Sequence, residues 1–332
     1  MRRSVPIVML QGIALALALS AGLHVAINGM TALSKGQPLE PLALLAGTVP
    51  ADLGLSVAIV VAWLAGELAL VGWARSSLRK LSSGAFAASR SDTVMTAIAL
   101  MGIHGSVAAL FSGGLSSAWL GFLGERAPFG LLREAPLWLA VPVLFLGASF
   151  TNYWVHRLMH TRAFWTLHAI HHAPTEFTVL TGTYASVIEA VCIMTAQALT
   201  FALIGGSEQA LYWAGLIAGM EPHWSHSHIR GVEWLERFGI NSPKAHTIHH
   251  AIDERYHNRN FGDSVILWDR LFGTYTPSSA IDGDLQLGVR DPRGIFNTGH
   301  VLRDWLMPQK QWFIDGFQGA AHGLRRRPAI AG

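Results

Sequence analysis

Three stretches of this chain, residues 4–34, 93–124 and 135–156, contain no Asp, Glu, Lys or Arg at all. Each is longer than the roughly 20 apolar residues that carry a helix across a bilayer. Only 14% of all residues are charged, where soluble chains average roughly 25%, so the whole composition points to a membrane protein. Spans are expected at about Val5–Ile27, Leu53–Ala74, Thr93–Ser112 and Leu137–Val155. A fifth apolar region, about Val187–Met220, holds Gly205-Gly206 and Glu208 near its middle and reads as a hairpin. Its second arm is short for a full crossing and fits a re-entrant segment. The fold class expected is all-α: an integral membrane helical bundle of about four spans plus a hydrophobic hairpin, with a cytoplasmic histidine-rich helical cap.

Orientation follows from the basic residues. Arg2 and Arg3 precede the first span, and Arg75, Arg79, Lys80 and Arg90 lie between the second and third, while loop 28–52 offers only Lys35 and loop 113–136 only Arg126 and Arg133. Lys and Arg favour the cytoplasmic side, which puts the N-terminus there. The Met1-Arg2-Arg3 start reads as an uncleaved first helix rather than a signal peptide, since the apolar run is long and a second span follows. Four crossings return the chain to the cytoplasmic side at His156. The organisation expected is a transmembrane scaffold (1–155), a histidine-rich region (156–280) that includes hairpin 187–220, and a polar C-terminal tail (281–332). Arg325-Arg326-Arg327-Pro328 at its end fits either contact with anionic lipid heads or plain solvation.

Composition also excludes. A net charge of +3, without a basic stripe, rules out nucleic acid as a partner. Cys192, the one cysteine, leaves no internal disulfide and no thiolate metal cage.

Twelve of the sixteen histidines lie between His156 and His257. His156 and His160 form HxxxH. His168, His171 and His172 form HxxHH, and His246, His249 and His250 repeat it. A helix brings positions i, i+3 and i+4 onto one face, so each HxxHH is expected to aim three ring nitrogens the same way. Zinc sites usually take four ligands, so eight or nine converging imidazoles fit a pair of metals. Between the two HxxHH sets lie His223, His226 and His228. One of them completes the coordination: His226 is the first choice and His223 the second. His228, His257 and Asp269 fit residues that orient ligands, or plain surface and turn positions. An all-imidazole site suits Zn, Cu, Fe or Ni, and ligand type alone does not choose among them. The HExxH pattern of metalloproteases is absent. His24, His104, His300 and His322 read as structural. Glu67 in the second span fits a functional site or a pair with Arg75, and Glu189 at the hairpin entry fits a lipid head group or structural pairing. Trp154, Trp165, Trp213 and Trp224 read as interfacial anchors.

The order of these pieces resembles the fatty acid hydroxylase / sterol desaturase superfamily. The resemblance rests on Tyr153-Trp154-Val155-His156-Arg157-Leu158-Met159-His160, on Leu167-His168-Ala169-Ile170-His171-His172, and on a lone histidine after a hydrophobic hairpin. It rests also on the run from His246 to Tyr275 with Asn260-Phe261-Gly262 and Trp268-Asp269-Arg270-Leu271-Phe272-Gly273-Thr274. It covers about 149–277. Ser149 stands where many members have an acidic residue, and Thr183-Tyr184-Ala185-Ser186 replaces an Arg-x-His-Pro run.

The resemblance implies that His156, His160, His168, His171, His172, His226, His246, His249 and His250 hold two irons, with zinc as a substitute. It implies reductive activation of O₂ and oxidation of an unactivated C–H bond of a membrane lipid. An acyl chain, a sterol or a polar head group fits. No GxGxxG fingerprint and no attached haem or ferredoxin module is evident, so a separate electron donor of cytochrome b5, ferredoxin or reductase type is expected. Desaturation on the same metals is the near alternative. A metal-binding or transport protein is the alternative of another class, weakened by ligands that fall outside the spans.

Overall fold

The computed structural model of the chain describes residues 5–325, apart from 41–42, 44, 46–48, 51–52, 84–86, 104–129, 131, 292, 297 and 299. His104, Arg126 and the Arg326-Arg327-Pro328 part of the basic end fall outside the described residues. What is described is helical: two isolated β-bridges, Ile240 with Val265 and Ala251 with Leu287, are the extent of extended pairing.

Helices α1 (Val5–Ser34), α2 (Leu53–Val71), α3 (Ser77–Ser83) and α4 (Ala87–Leu100) form the first part. Helix α5 (Leu137–Met159) leads into α6 (Trp165–His172). The hairpin pairs α7 (Val187–Ile204) with α8 (Glu208–Ser225), and α9 (Pro243–His249), α10 (Leu267–Leu271) and α11 (Val301–Arg325) complete the order.

Among the described residues, four helices are long and apolar enough to cross a membrane: Ala14–Ser34 within α1, α2, α5 and α7. The windows in α2 and α7 are only 6% buried, against 33% in α5. Helix α5 is therefore the central post, with α7 and α8 packed along it, and the apolar surfaces of α2 and α7 face outward where lipid would cover them.

The third expected span is not one continuous helix. Helix α4 stops at Leu100, and Gly102 turns the chain at φ +65°. Its Val94, Met95 and Ile98 are buried in a cluster with Ala16 of α1 and Trp305 of α11, so they cover protein rather than lipid. Residues 104–112 of that expected span lie outside the described residues.

The hairpin forms where the glycines stand. Gly205 ends α7 at φ +70°, and the Ser207 hydroxyl accepts the Ala210 N–H to start α8. Helix α8 carries Glu208, Glu221 and His223 and is not among the candidate spans.

The polar tail contributes a packed helix. Helix α11 packs on α6. The Trp312 indole donates to the Ala163 carbonyl at 2.6 Å and Trp305 to that of Ala185 at 3.1 Å. It braces the histidine-bearing helix from outside.

Candidate metal centre

The sequence delivers the histidines from four helix ends. His156 closes the last turn of α5, and His160 caps it one turn later. Helix α6 carries His168, His171 and His172, and His226 caps α8. Helix α9 starts at Pro243 behind the Ser242 cap, whose hydroxyl accepts the Ala245 N–H, and it carries His246 and His249 with His250 as its C-cap.

These nine residues form two groups. His156, His160, His168, His172 and His249 make one, and His171, His226, His246 and His250 the other, with ligand nitrogens in each group all within 4.8 Å of one another. All are buried except the half-buried His160. Each HxxHH splits between the groups, contrary to the expectation that it aims three nitrogens together. The i, i+4 pair goes one way: His168 with His172, and His246 with His250. The i+3 residue, His171 or His249, crosses to the other group. Adjacent helical residues diverge by about 100°, so HH at the end of the motif cannot serve one point. The His172 and His250 rings stack between the groups at 4.1 Å.

Backbone and carboxylate acceptors fix the tautomers. Nδ1 of His156 donates to Phe261 O (2.7 Å), of His226 to Pro222 O (2.8 Å), of His249 to Arg259 O (2.7 Å) and of His171 to Tyr184 O (3.3 Å). Glu189 Oε1 accepts from His168 Nδ1 at 2.7 Å. A carbonyl only accepts, so Nδ1 holds the proton and Nε2 presents a lone pair. The Nε2 atoms of His156 and His168 then face each other at 3.0 Å, with no proton to share. The Nε2 atoms of His168 and His172 lie 3.1 Å apart, and those of His226 and His246 3.3 Å apart. Nε2 of His160, His249 and His250 is buried without a partner. Buried imidazole nitrogens that converge in this way could hold a metal ion, and the donor set fits one in each group. Burial, followed by the neighbouring imidazoles, holds His172, His246, His249 and His250 well below the ordinary imidazole range. The rings are neutral, as metal ligands must be.

One loop aims two of the acceptors. Asn258 (φ 60°) and Asn260 (φ 52°) adopt left-handed backbone that non-glycine residues seldom occupy. The Asn260 side chain secures it by donating to the Ala245 and Thr276 carbonyls and accepting the Thr276 N–H. Asp269 accepts the N–H groups of Phe261 and Gly262 and the Thr274 hydroxyl. It therefore shapes the loop and touches no ligand ring, one step further back than a carboxylate that orients histidine. Glu189 holds that post instead, in the structural pairing that its position allowed. Its signal was a lone carboxylate in an apolar run one turn after a helix-capping serine.

The remaining candidates stand apart. His223 donates to Val179 O at 2.6 Å and lies near the Trp63 ring, outside both groups. His228 donates to Phe177 O, and its N–H reaches Glu67. Glu67 also accepts the Ser77 N–H and, among the described residues, pairs with no arginine. His257 is exposed at the mouth of a cavity of about 250 Å³ that touches His160, His172 and His249. Trp165, read as an anchor, packs its ring 5.1 Å from His160 and 5.2 Å from His172. Trp224 donates to Asn241 O, while Trp154 and Trp213 are exposed.

A second cavity, about 270 Å³, reaches both groups through His156, His168, His171 and His226. Its wall carries Glu221 and Asp263, which the sequence did not single out.

Glu189→Gln is expected to lower metal affinity or activity by about 10–100-fold, the usual cost of losing a partner that orients a ligand histidine. Metal titration of the purified variant checks it, and wild-type affinity would remove Glu189 from the centre.

Two groups of imidazoles that could each hold a metal ion, beside apolar helices long enough to cross a membrane, are what the fold brings together. The comparisons place it more closely. Residues 141–274 match the fatty acid hydroxylase family model. Alkylglycerol monooxygenase of Danio rerio is 27% identical over 195 residues, covering 58% of this chain and 42% of that protein. Ornithine lipid hydroxylase OlsE of Rhizobium tropici is 23% identical, covering 42% of this chain and 43% of that protein. Delta(7)-sterol 5(6)-desaturase erg3B of Aspergillus fumigatus is 29% identical, covering 46% and 47%. The chain spans less than half the length of these relatives. No solved structure matches it. The match of residues 141–274 and these relatives support the resemblance of the histidine motifs to the fatty acid hydroxylase / sterol desaturase superfamily.

Proposed function

We propose that the protein is a membrane-bound di-iron oxygenase that hydroxylates a C–H bond of a lipid. The observation that carries this is the pair of metal-ready imidazole groups at the end of a cavity beside outward-facing apolar helices. The balance is R–H + O₂ + 2 e⁻ + 2 H⁺ → R–OH + H₂O, with the electrons from a separate donor protein. His156, His160, His168, His172 and His249 would hold one iron and His171, His226, His246 and His250 the other. When bound, the irons supply O₂ activation, for which no side chain has the redox chemistry. The chain does the rest. Glu189 and the carbonyls of Phe261, Arg259, Pro222 and Tyr184 keep His168, His156, His249, His226 and His171 in the tautomer that leaves Nε2 free to ligate. Phe177 lies 4.7 Å from His226 and 4.8 Å from His250, and shields that group from water. Transport fits less well, since rings locked this way are built to retain their ion.

Desaturation on the same centre is the second reading, favoured by the sterol desaturase relative. Mass spectrometry of lipids from expressing cells decides between them. Gain of one oxygen supports hydroxylation, loss of two hydrogens supports desaturation, and an unchanged lipid profile with iron bound rejects both.

The centre is assigned to the cytoplasmic face. The basic loop after α2 supports this, because Lys80 pairs with Glu176 at 3.1 Å and the Ser77 hydroxyl accepts the Val179 N–H. That loop and the histidine cap thus share one side, and the positive-inside preference names it. Arg255 is highly exposed beside the centre. In a Cys192→Ser background, Arg255→Cys should react with an impermeant thiol reagent only in inside-out vesicles. Labelling in intact cells would invert the topology.

A further inference from the structure

Helix α11 carries apolar residues on two sides, and protein covers only one of them. Trp305, Pro308 and Gln309 share the buried side. At about 100° per residue, Leu302, Leu306, Phe313 and Phe317 fall within about 60° of one another, on a side turned roughly 100° from the first. These four are 39%, 52%, 52% and 76% exposed. An aligned stripe of large apolar side chains over about four turns differs from the single exposed residues of an ordinary surface.

The flank beyond the stripe is basic. Arg303 and Lys310 border it on the side away from the protein. Both are exposed and, among the described residues, neither makes an ion pair. The helix ends at Arg325, and Arg326 and Arg327 follow in sequence. At 25 residues α11 is long, but it is not among the helices apolar enough to cross a bilayer. An apolar stripe of Leu and Phe beside Lys and Arg is the pattern of a helix that lies in the membrane surface.

Packing sets α11 at that height. Trp305 is buried in a cluster with Ala16, near the start of the candidate span Ala14–Ser34. Trp312 donates to the carbonyl of Ala163, just past the Met159 end of the candidate span α5. The two tryptophans stand about 10 Å apart along the helix, so α11 bridges the ends of two candidate spans. It runs along the rim of the apolar bundle, where lipid head groups would lie. A second copy of the chain would cover the stripe with the same stripe, but it brings a basic flank to a basic flank. Anionic phospholipid offers acyl chains to the stripe and phosphate to the flank at once.

We propose that α11 is an in-plane membrane anchor, with Leu302, Leu306, Phe313 and Phe317 sunk among acyl chains and its basic flank on the phosphates of anionic phospholipid. This needs the bundle to sit in a membrane and is independent of the oxygenase reading.

The test uses the full chain in a Cys192→Ser background, in nanodiscs, with a fluorophore on one introduced cysteine. At Phe317→Cys and at Leu306→Cys, phosphatidylcholine spin-labelled in its acyl chain should quench the fluorophore, and aqueous iodide should not. At Gln311→Cys, on the far side of the helix, iodide should quench and lipid should not. At Leu306→Cys, spin-labelled phosphatidylglycerol should quench roughly fivefold more than phosphatidylcholine at the same mole fraction, the enrichment that about 1 kcal/mol per basic residue gives. Arg303→Gln with Lys310→Gln should at least roughly halve that ratio. Should Leu306→Cys fail to insert, Phe313→Cys takes its place. Iodide reaching Phe317→Cys as freely as Gln311→Cys puts the stripe in water and overturns the proposal. Exclusion of both quenchers, with Phe317→Cys forming disulfides between chains in proteoliposomes, assigns the stripe to a second copy and also overturns it. Equal quenching by the two lipids, or a ratio that survives the double variant, overturns the anionic-lipid assignment.

Discussion

His249→Ala should abolish product formation, by at least roughly 100-fold, while the protein still inserts into the membrane. The His249 ring sits 4.5 Å from His156 and 4.7 Å from both His160 and His172, at the heart of the five-nitrogen group. Its Nε2 is buried and unpartnered, and its Nδ1 is spent on the Arg259 carbonyl. Truncation removes one ligand from a dry site and leaves the Arg259 carbonyl without its donor. Helices α1, α2, α5 and α7 do not depend on it, so insertion persists. The control is His300→Ala, at an exposed position before α11 that should keep full activity. Lipid mass spectrometry together with metal content checks both. Wild-type turnover by His249→Ala with both metals retained would remove it from the ligand set.

Gly262→Ala should be the most damaging change that touches no ligand. A Cβ there would lie 2.2 Å from the Val265 carbonyl oxygen and 2.9 Å from Asp269 Oδ2. The first of these is backbone and has no rotamer to yield, so the loop must open. Opening breaks the Asp269 bonds to the N–H groups of Phe261 and Gly262. It also draws the Phe261 carbonyl away from His156. Overpacking costs about 1–3 kcal/mol, and a buried carboxylate left short of donors costs about as much again. Thermal denaturation in detergent should show a loss of about 2–5 kcal/mol, with metal lost from the five-histidine group. Gly316→Ala, on α11 with nothing within 4 Å of the new Cβ, should be neutral or slightly stabilising. Equal stability of the two variants would mean that the loop has room not visible here.

The nine histidines that cluster were legible in the sequence because imidazoles in HxxxH and HxxHH spacing have few other uses, and local spacing survives any packing. Their division into groups of five and four was not. It depends on how α6 and α9 are rotated against each other, which no single segment encodes. His226 could be ranked above His223, but only the fold shows why: α8 ends at His226, while His223 lies a turn earlier against Trp63 and Val179. The long apolar helices were legible as uncharged runs. Helix α4 was not, because an apolar run packed on α1 and α11 reads like one facing lipid until its partners are known. The acceptors at Phe261, Arg259 and Tyr184 are backbone atoms and leave no residue-type signal. The turn they need leaves a faint one, in the two asparagines that adopt positive φ and the glycine that follows.

Metal stoichiometry tests the centre most directly. Protein purified from iron-replete cells and analysed by inductively coupled plasma mass spectrometry alongside quantitative amino-acid analysis should hold two metal ions per chain, natively iron. The His249→Ala variant should hold fewer. One ion, or none, per chain in protein that turns over lipid would contradict a centre built from both histidine groups.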